Sequence, residues 1–234
     1  MAETDVHYDL MVNFRKLLAG YFQNRLEVYI SGNLLLYYEK GNPKKSVAPD
    51  IFVVFGIENR KRGTYLLWEE GKGPDFVLEV SSKKTFRTDL NKKKRLYAQV
   101  LGVADYFLYD PNHQYLNPPL QGYRLVHGDY DPLLPVADRL PSATLGLELG
   151  LKPDGELGLY NPQTQAWLLL PEERAEQAEE RAEQAEAIAR REAEARRQAE
   201  ARVQQEAEAR RQVEAELARL RAEFQRRLTQ QINK

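Results

Sequence analysis

Asp50, Glu79 and Lys93 are the residues of this 234-residue chain whose types and placement suit chemistry on a phosphate. Asp50 follows Pro49 at the mouth of an apolar run, Ile51 to Phe55. Glu79 sits inside a second apolar run, Phe76 to Val80, and a carboxylate in a strand buried on both faces needs a reason. Lys93 lies on the inward side of the helix expected after that strand. Two carboxylates can hold a hard divalent ion, and a nearby ammonium can neutralise a phosphate or orient the water that attacks it. These are the parts required for metal-assisted phosphodiester hydrolysis. Each residue also has a plainer reading: Asp50 as the shaper of a turn, Glu79 as a buried ion-pair partner, Lys93 as a side chain that snorkels over apolar surface.

The elements that must position these groups can be read on either side of them. Strand alternation puts Glu79 on one face with Val77 and Ser81, opposite Phe76, Leu78 and Val80. The following helix is expected to start at Thr88 as N-cap, with Asp89 in its first turn near the positive end of the dipole and Gly102 as the C′ residue. At about 100° per residue, Leu90, Leu96, Tyr97, Val100 and Leu101 share one side with Lys93 near its middle, and Lys92 and Lys94 fall off its centre. Tyr106 to Tyr109 reads as a second strand closed by Asp110-Pro111, so strand, helix and strand make a right-handed crossover in a parallel or mixed sheet. Upstream, Leu10 to Tyr21 has a helical period with one buried side. Leu26 to Tyr38 suggests a hairpin or bent strand pair turning at Ser31-Gly32-Asn33, and Thr64 to Trp68 another strand. Beyond Pro111 the pattern turns antiparallel: Gly122 to Val126 and Tyr130 to Leu134 flank His127-Gly128-Asp129, and Leu145 to Leu151 and Leu157 to Tyr160 flank Asp154-Gly155. These strands are expected to wall one side of the site.

A hydrophobic content of 42% and a formal charge of −1 suit one ordinary domain plus something extended. No apolar run approaches the roughly 20 residues of a spanning helix. The start, MAETDVHYDL, lacks the basic and apolar regions of a signal peptide, so a cytoplasmic location is expected. With no cysteine and three histidines, thiolate metal sites are excluded, and any metal should be hard and oxygen-bound. Residues 1–170 hold 20 basic and 20 acidic side chains, yet Lys83, Lys84, Arg87, Lys92, Lys93, Lys94 and Arg95 crowd beside the central strand, with Arg60, Lys61 and Arg62 upstream. Such clustering is the footprint of a phosphate-binding surface, or else of a solvated helix face.

At Pro171 the composition changes to Ala, Glu, Arg and Gln, dividing the chain into residues 1–170 and 171–234. ERAEQAE occurs at 173 and again at 180, and EAEARRQ at 192 and 206. With Ala175 at a heptad a position, the a series holds Ala175, Ala182, Ala189, Val203, Leu217 and Phe224, and the d series Ala178, Ala185, Ala199, Val213 and Leu220. Glu192, Arg196, Glu206 and Arg210 interrupt it. The seam strengthens toward the C-terminus, so a coiled-coil homodimer or higher homo-oligomer is expected. A solitary helix held by i,i+4 charge pairs is the other reading.

VAPDIFVVFG, FVLEVSS with Thr85, then Asp89, Lys93 and Tyr97 at four-residue spacing, and GVADYFLYDP resemble the Uma-two restriction endonuclease family, within the PD-(D/E)XK nuclease superfamily. LQGYRL, PSATLGLEL and the closing Glu/Ala/Arg helix extend the likeness over most of the chain. The resemblance implies an α/β fold with a restriction-endonuclease-like mixed sheet flanked by helices, and Asp50 and Glu79 as ligands of magnesium, or of manganese. The superfamily's lysine two residues after the second acid is Ser81 here, and Lys93 is its natural substitute from the neighbouring helix. Ser82 and Thr85 match family positions, and His7 lies near the start of the first helix. Two functions follow. One is a magnesium-dependent DNA endonuclease with Asp50, Glu79 and Lys93 catalytic and Lys83, Lys84, Arg87, Lys92 and Lys94 on the DNA. The other is a non-catalytic nucleic-acid or protein interaction module assembled through the C-terminal helix.

Overall fold

The computed structural model describes the backbone of residues 5–232 and the side chains of residues 5–223. Helix α1 (Asp5–Tyr21) buries Met11, Phe14, Leu17 and Leu18 at helical spacing. There follow β1 (Val28–Ser31), β2 (Leu36–Tyr37), β3 (Ser46–Val47), β4 (Ile51–Phe55), β5 (Tyr65–Leu66), the short helix α2 (Leu67–Glu70) and β6 (Phe76–Val80). Helix α3 occupies residues 86–101. In it α-helical turns, Phe86–Thr88 and Lys94–Leu96, alternate with π-helical segments, Asp89–Lys93 and Tyr97–Leu101. The remaining strands are β7 (Asp105–Tyr109), β8 (Leu120–Val126), β9 (Asp129–Pro132), β10 (Leu140–Ser142), β11 (Leu147–Leu151), β12 (Leu157–Asn161) and β13 (Ala166–Trp167), and α4 (Pro171–Ile232) closes the chain.

Six strands in the order β1-β4-β6-β7-β8-β9 make the central sheet, and β6 and β7 run parallel while every other neighbouring pair is antiparallel. The parallel pair is the one joined by α3, as the strand, helix, strand pattern requires. Alternation then splits the sheet's side chains into two cores. Ile51, Val53, Phe76, Leu78, Val80 and Phe107 pack with α1 on one face, and Phe52, Val54, Val77, Tyr106 and Leu108 pack with Tyr97 and Leu101 of α3 on the other. Glu79 therefore faces α3.

Several expectations need correction. Residues 26–38 do not form a hairpin: β1 joins the central sheet, whereas β2 pairs with β3 and β5 in a separate three-stranded sheet. The chain leaves at Gly32, where a Cβ would collide with the Asp50 carbonyl oxygen. The segment expected as one strand at Thr64 to Trp68 is β5 followed at once by α2. Helix α3 starts before Thr88, because Thr85 and Phe86 N–H both bond back to the Ser82 carbonyl at 3.0 Å and open the first turn there. Thr88 is thus inside the helix, and Asp89 is a buried residue of its interior, 1% exposed. The wider π-turns also rotate Val100 outward, to 53% exposure. Gly102 does end the helix, with φ of 64°. The β8–β9 turn is as expected, His127 and Gly128 both having positive φ. The four-stranded sheet β10-β11-β12-β13 packs with α1 in the core away from Glu79, so it backs the site instead of walling it.

The chain divides into two units between Arg174 and Ala175. The second is helix throughout its described length, and its side chains are exposed up to residue 223. Val203, Val213, Leu217 and Leu220 are 49–66% exposed, and Phe224 of the expected seam lies outside the described side chains. Among the described residues no helix is long and apolar enough to cross a membrane.

Candidate active site

Strands β4 and β6 pair antiparallel with Ile51 opposite Leu78, which brings Asp50 alongside Glu79. The two interlock: the Asp50 N–H donates to Glu79 Oε2 at 3.4 Å, and the Val80 N–H donates to Asp50 Oδ2 at 2.7 Å. Lys93, whose stem crosses from α3, places Nζ 2.8 Å from Glu79 Oε2 and 3.1 Å from Asp89 Oδ1. The Tyr97 hydroxyl donates a short hydrogen bond to Glu79 Oε1. Ser81, at the position where the superfamily pattern carries lysine, donates from Oγ to Asp89 Oδ2 at 3.2 Å. Helix α1 brings His7 Nε2 to 3.3 Å from Asp50 Oδ1.

Three carboxylates, Asp50, Glu79 and Asp89, thus surround one ammonium, an excess of two negative charges when all are ionised. Burial pushes the Glu79 carboxyl up to about 8, with Lys93 opposing and Asp50 and Asp89 adding to the rise. Asp89 is raised for the same reason, burial, with Lys93 opposing. Burial alone would lower Lys93, but Glu79 and Asp89 outweigh it and hold the ammonium above its ordinary range. Burial and then the Glu79 charge push the Tyr97 hydroxyl far up, so it remains a donor.

The chemistry of this donor set fits a hard divalent cation. Magnesium is bound through one or two carboxylates and keeps waters or substrate oxygens for the rest, and an excess of two negative charges is what such an ion would neutralise. Asp50 and Glu79 are the neighbouring pair. Among the described residues no group of three or more His, Cys, Asp or Glu side chains is placed to hold a metal ion together, so Asp50 and Glu79 would hold it with water or phosphate oxygens.

The sequence reading placed Asp50, Glu79 and Lys93 together, and they meet. It missed the part played by Asp89, Tyr97 and His7. The signal for the first two was the spacing of 89, 93 and 97: π-helical turns insert extra residues into α3 and keep the three side chains on one line over Glu79. The basic residues fare unevenly. Lys83, Lys84, Arg87 and Lys92 are exposed. Lys94 instead lays Nζ 3.4 Å from the centre of the Tyr123 ring. Upstream, Arg62 is no part of a phosphate-binding surface: it forks onto Glu70 at 2.7 and 2.8 Å, with its guanidinium 4.1 Å from the Tyr29 ring centre. Arg60 also binds Glu70, at 2.8 Å.

The mixed sheet, the flanking helices and the acids at neighbouring strands define an α/β protein of the restriction-endonuclease-like class. The chain belongs to the Uma2 family, described as "Putative restriction endonuclease", which matches residues 1–157. A solved structure described as "a putative nuclease belonging to DUF820 from Anabaena variabilis" is similar to it, with a TM-score of 0.46 and 16% identity over 62% of this chain and 76% of that one. No curated protein matches the chain.

Proposed function

We propose that the chain is a divalent-metal-dependent endonuclease that hydrolyses phosphodiester bonds in DNA. The observation that carries this reading is the Asp50, Glu79 and Lys93 cluster, whose carboxylates outnumber its cation. Asp50 and Glu79 would hold magnesium or manganese, which when bound polarises the scissile phosphate and lowers the pKa of a coordinated water. Asp50, partly exposed, would meet the substrate side, while Glu79 is kept in place by Tyr97. Lys93, held protonated by Glu79 and Asp89, neutralises charge that develops on the phosphate or orients the attacking water. The exposed Lys83, Lys84, Arg87 and Lys92 supply salt-sensitive contacts to the backbone of the DNA. Helix α4 would pair two copies through its Val203 to Leu220 seam and so present two sites to the two strands.

Calorimetric titration with magnesium and with manganese tests the reading. Wild type should bind at a site that both Asp50→Asn and Glu79→Gln remove. A wild type that binds neither ion would support the interaction-module reading instead.

A further inference from the structure

Two cavities adjoin along one side of α1, where it passes β1 and Asp50. The first, of about 350 Å³, is lined by Tyr8, Arg15, Gly32 and Asp50, among others. The second, of about 490 Å³, is lined by Arg15, Arg25 and Glu58 with apolar side chains that include Phe22 and Ile30. Arg15 and Ala19 line both, so the two meet beside α1 and together offer a groove that has Asp50 in its lining. Glu79 is fully buried. Asp50 is therefore the carboxylate through which this groove reaches the cluster.

The side chains along the groove suit a polyanion with flat bases. Lys16 is tied to Glu172 at 2.6 Å, whereas Arg15 and Arg25 are exposed and form no ion pair among the described residues. Glu58, on the wall of the second cavity, has Arg60 at 3.9 Å. Tyr8 is 59% exposed and lines the first cavity, which leaves its ring face available to a flat partner. Tyr8 and Arg15 lie two helical turns apart on one face, about 10 Å at the helical rise of 1.5 Å per residue. That length spans about three nucleotides at the 3.4 Å per-strand repeat. A basic groove that tracks a backbone, with an aromatic ring beside it, is how proteins hold a single strand without reading its sequence.

We propose that this groove receives one strand of the nucleic-acid substrate, with Arg15 and Arg25 on its phosphates and Tyr8 stacked on a base next to Asp50. The proposal rests on the nuclease reading and adds to it the path of the strand, along α1 and not only over the lysines beside α3. At this end of the groove Gly32 packs its backbone directly on the Asp50 carbonyl, with no room for a side chain.

The test is fluorescence anisotropy on the full chain in EDTA with a labelled single-stranded deoxyoligonucleotide and its duplex, over a series of salt concentrations. Arg15→Gln/Arg25→Gln should weaken single-strand binding about tenfold and reduce the slope of log K against log salt by about 1.4, the value for two lost phosphate contacts. Tyr8→Ala should weaken binding about fivefold or more with the slope unchanged, and Tyr8→Phe should restore it. Arg15→Gln alone, at an exposed position, should reduce the slope by about 0.7, which keeps the test valid if Arg25→Gln disturbs the contact of the Arg25 guanidinium with the Phe22 and Phe55 rings, each 5.8 Å from it. Wild-type affinity and slope in the arginine variants, with loss only in Lys83→Gln/Lys84→Gln/Arg87→Gln, would overturn the groove and leave the nuclease reading standing. Binding of duplex alone by wild type would also overturn it. A wild type that binds neither form, and cuts neither when magnesium is restored, would overturn both.

Discussion

Replacing Glu79 by Gln in the metal-free protein should make stability less sensitive to pH, because the native Glu79 keeps its proton where an unfolded one does not. Burial raises its carboxyl from the ordinary 4.5 to about 8. Between those values the folded state binds one more proton than the unfolded state, so the contribution is complete below about pH 4.5 and is lost as pH rises toward 8. At about 1.4 kcal/mol per unit, that interval is worth on the order of 5 kcal/mol. Glutamine is neutral throughout and can still accept from Tyr97, although its amide turns a donor toward Lys93 and costs some stability at low pH. Urea denaturation in EDTA at pH 5, 7 and 9 should therefore show the variant level with or below wild type at pH 5 and above it at pH 9. Parallel stability curves for the two proteins would refute the reasoning and mark Glu79 as an ionised partner of Lys93 at every pH.

Lys93→Ala should lower cleavage at saturating DNA by about 10²-fold or more with affinity nearly unchanged, while Lys92→Ala, whose side chain is exposed, should mainly weaken binding in a salt-dependent way. Equal single-turnover rates for the two variants would remove Lys93 from the chemistry. Arg62→Ala breaks a fork whose side chains are 2% and 11% exposed and should cost about 3 kcal/mol near neutral pH by denaturant titration. The Arg62 hydrogen bond holds Glu70 below its usual range, so this pair stabilises above the unfolded carboxylate pKa, and the cost should shrink as pH falls through the folded one. Sedimentation should give a multiple of the 27.1 kDa chain mass for the full protein and a monomer for a chain ending at Leu170; a monomer in both cases would end the coiled-coil proposal.

The middle of the central sheet, β4, β6 and β7, was legible because these strands are short apolar runs with clean boundaries, and a carboxylate in one of them stood out against that background. Lys93 was legible as well, since helical rotation alone puts it on the sheet side of α3. Asp89 was not: near an expected helix start, an acid is normally explained by the dipole, and only the turn closed by Ser82 and Thr85 moves the start upstream and leaves Asp89 in the interior. Tyr97 looked apolar, and its hydroxyl bond to Glu79 depends on strand and helix meeting in space. Arg62 was misread for a related reason. Its partner Glu70 lies beyond a turn and a short helix, and a basic triplet in isolation gives no sign that one member is already paired. The hairpin expected at residues 26–38 failed because Gly32 serves close packing against Asp50, a long-range constraint that a turn signature does not reveal.

The central claim is tested most directly by cleavage of supercoiled, linear and single-stranded DNA with wild type and Glu79→Ala, each with and without magnesium or manganese. Nicking or linearisation that requires the metal and disappears in Glu79→Ala, at unchanged DNA affinity, is the predicted result. DNA left intact by wild type under every metal condition, or cut equally by Glu79→Ala, would contradict the assignment of this cluster as a nuclease site.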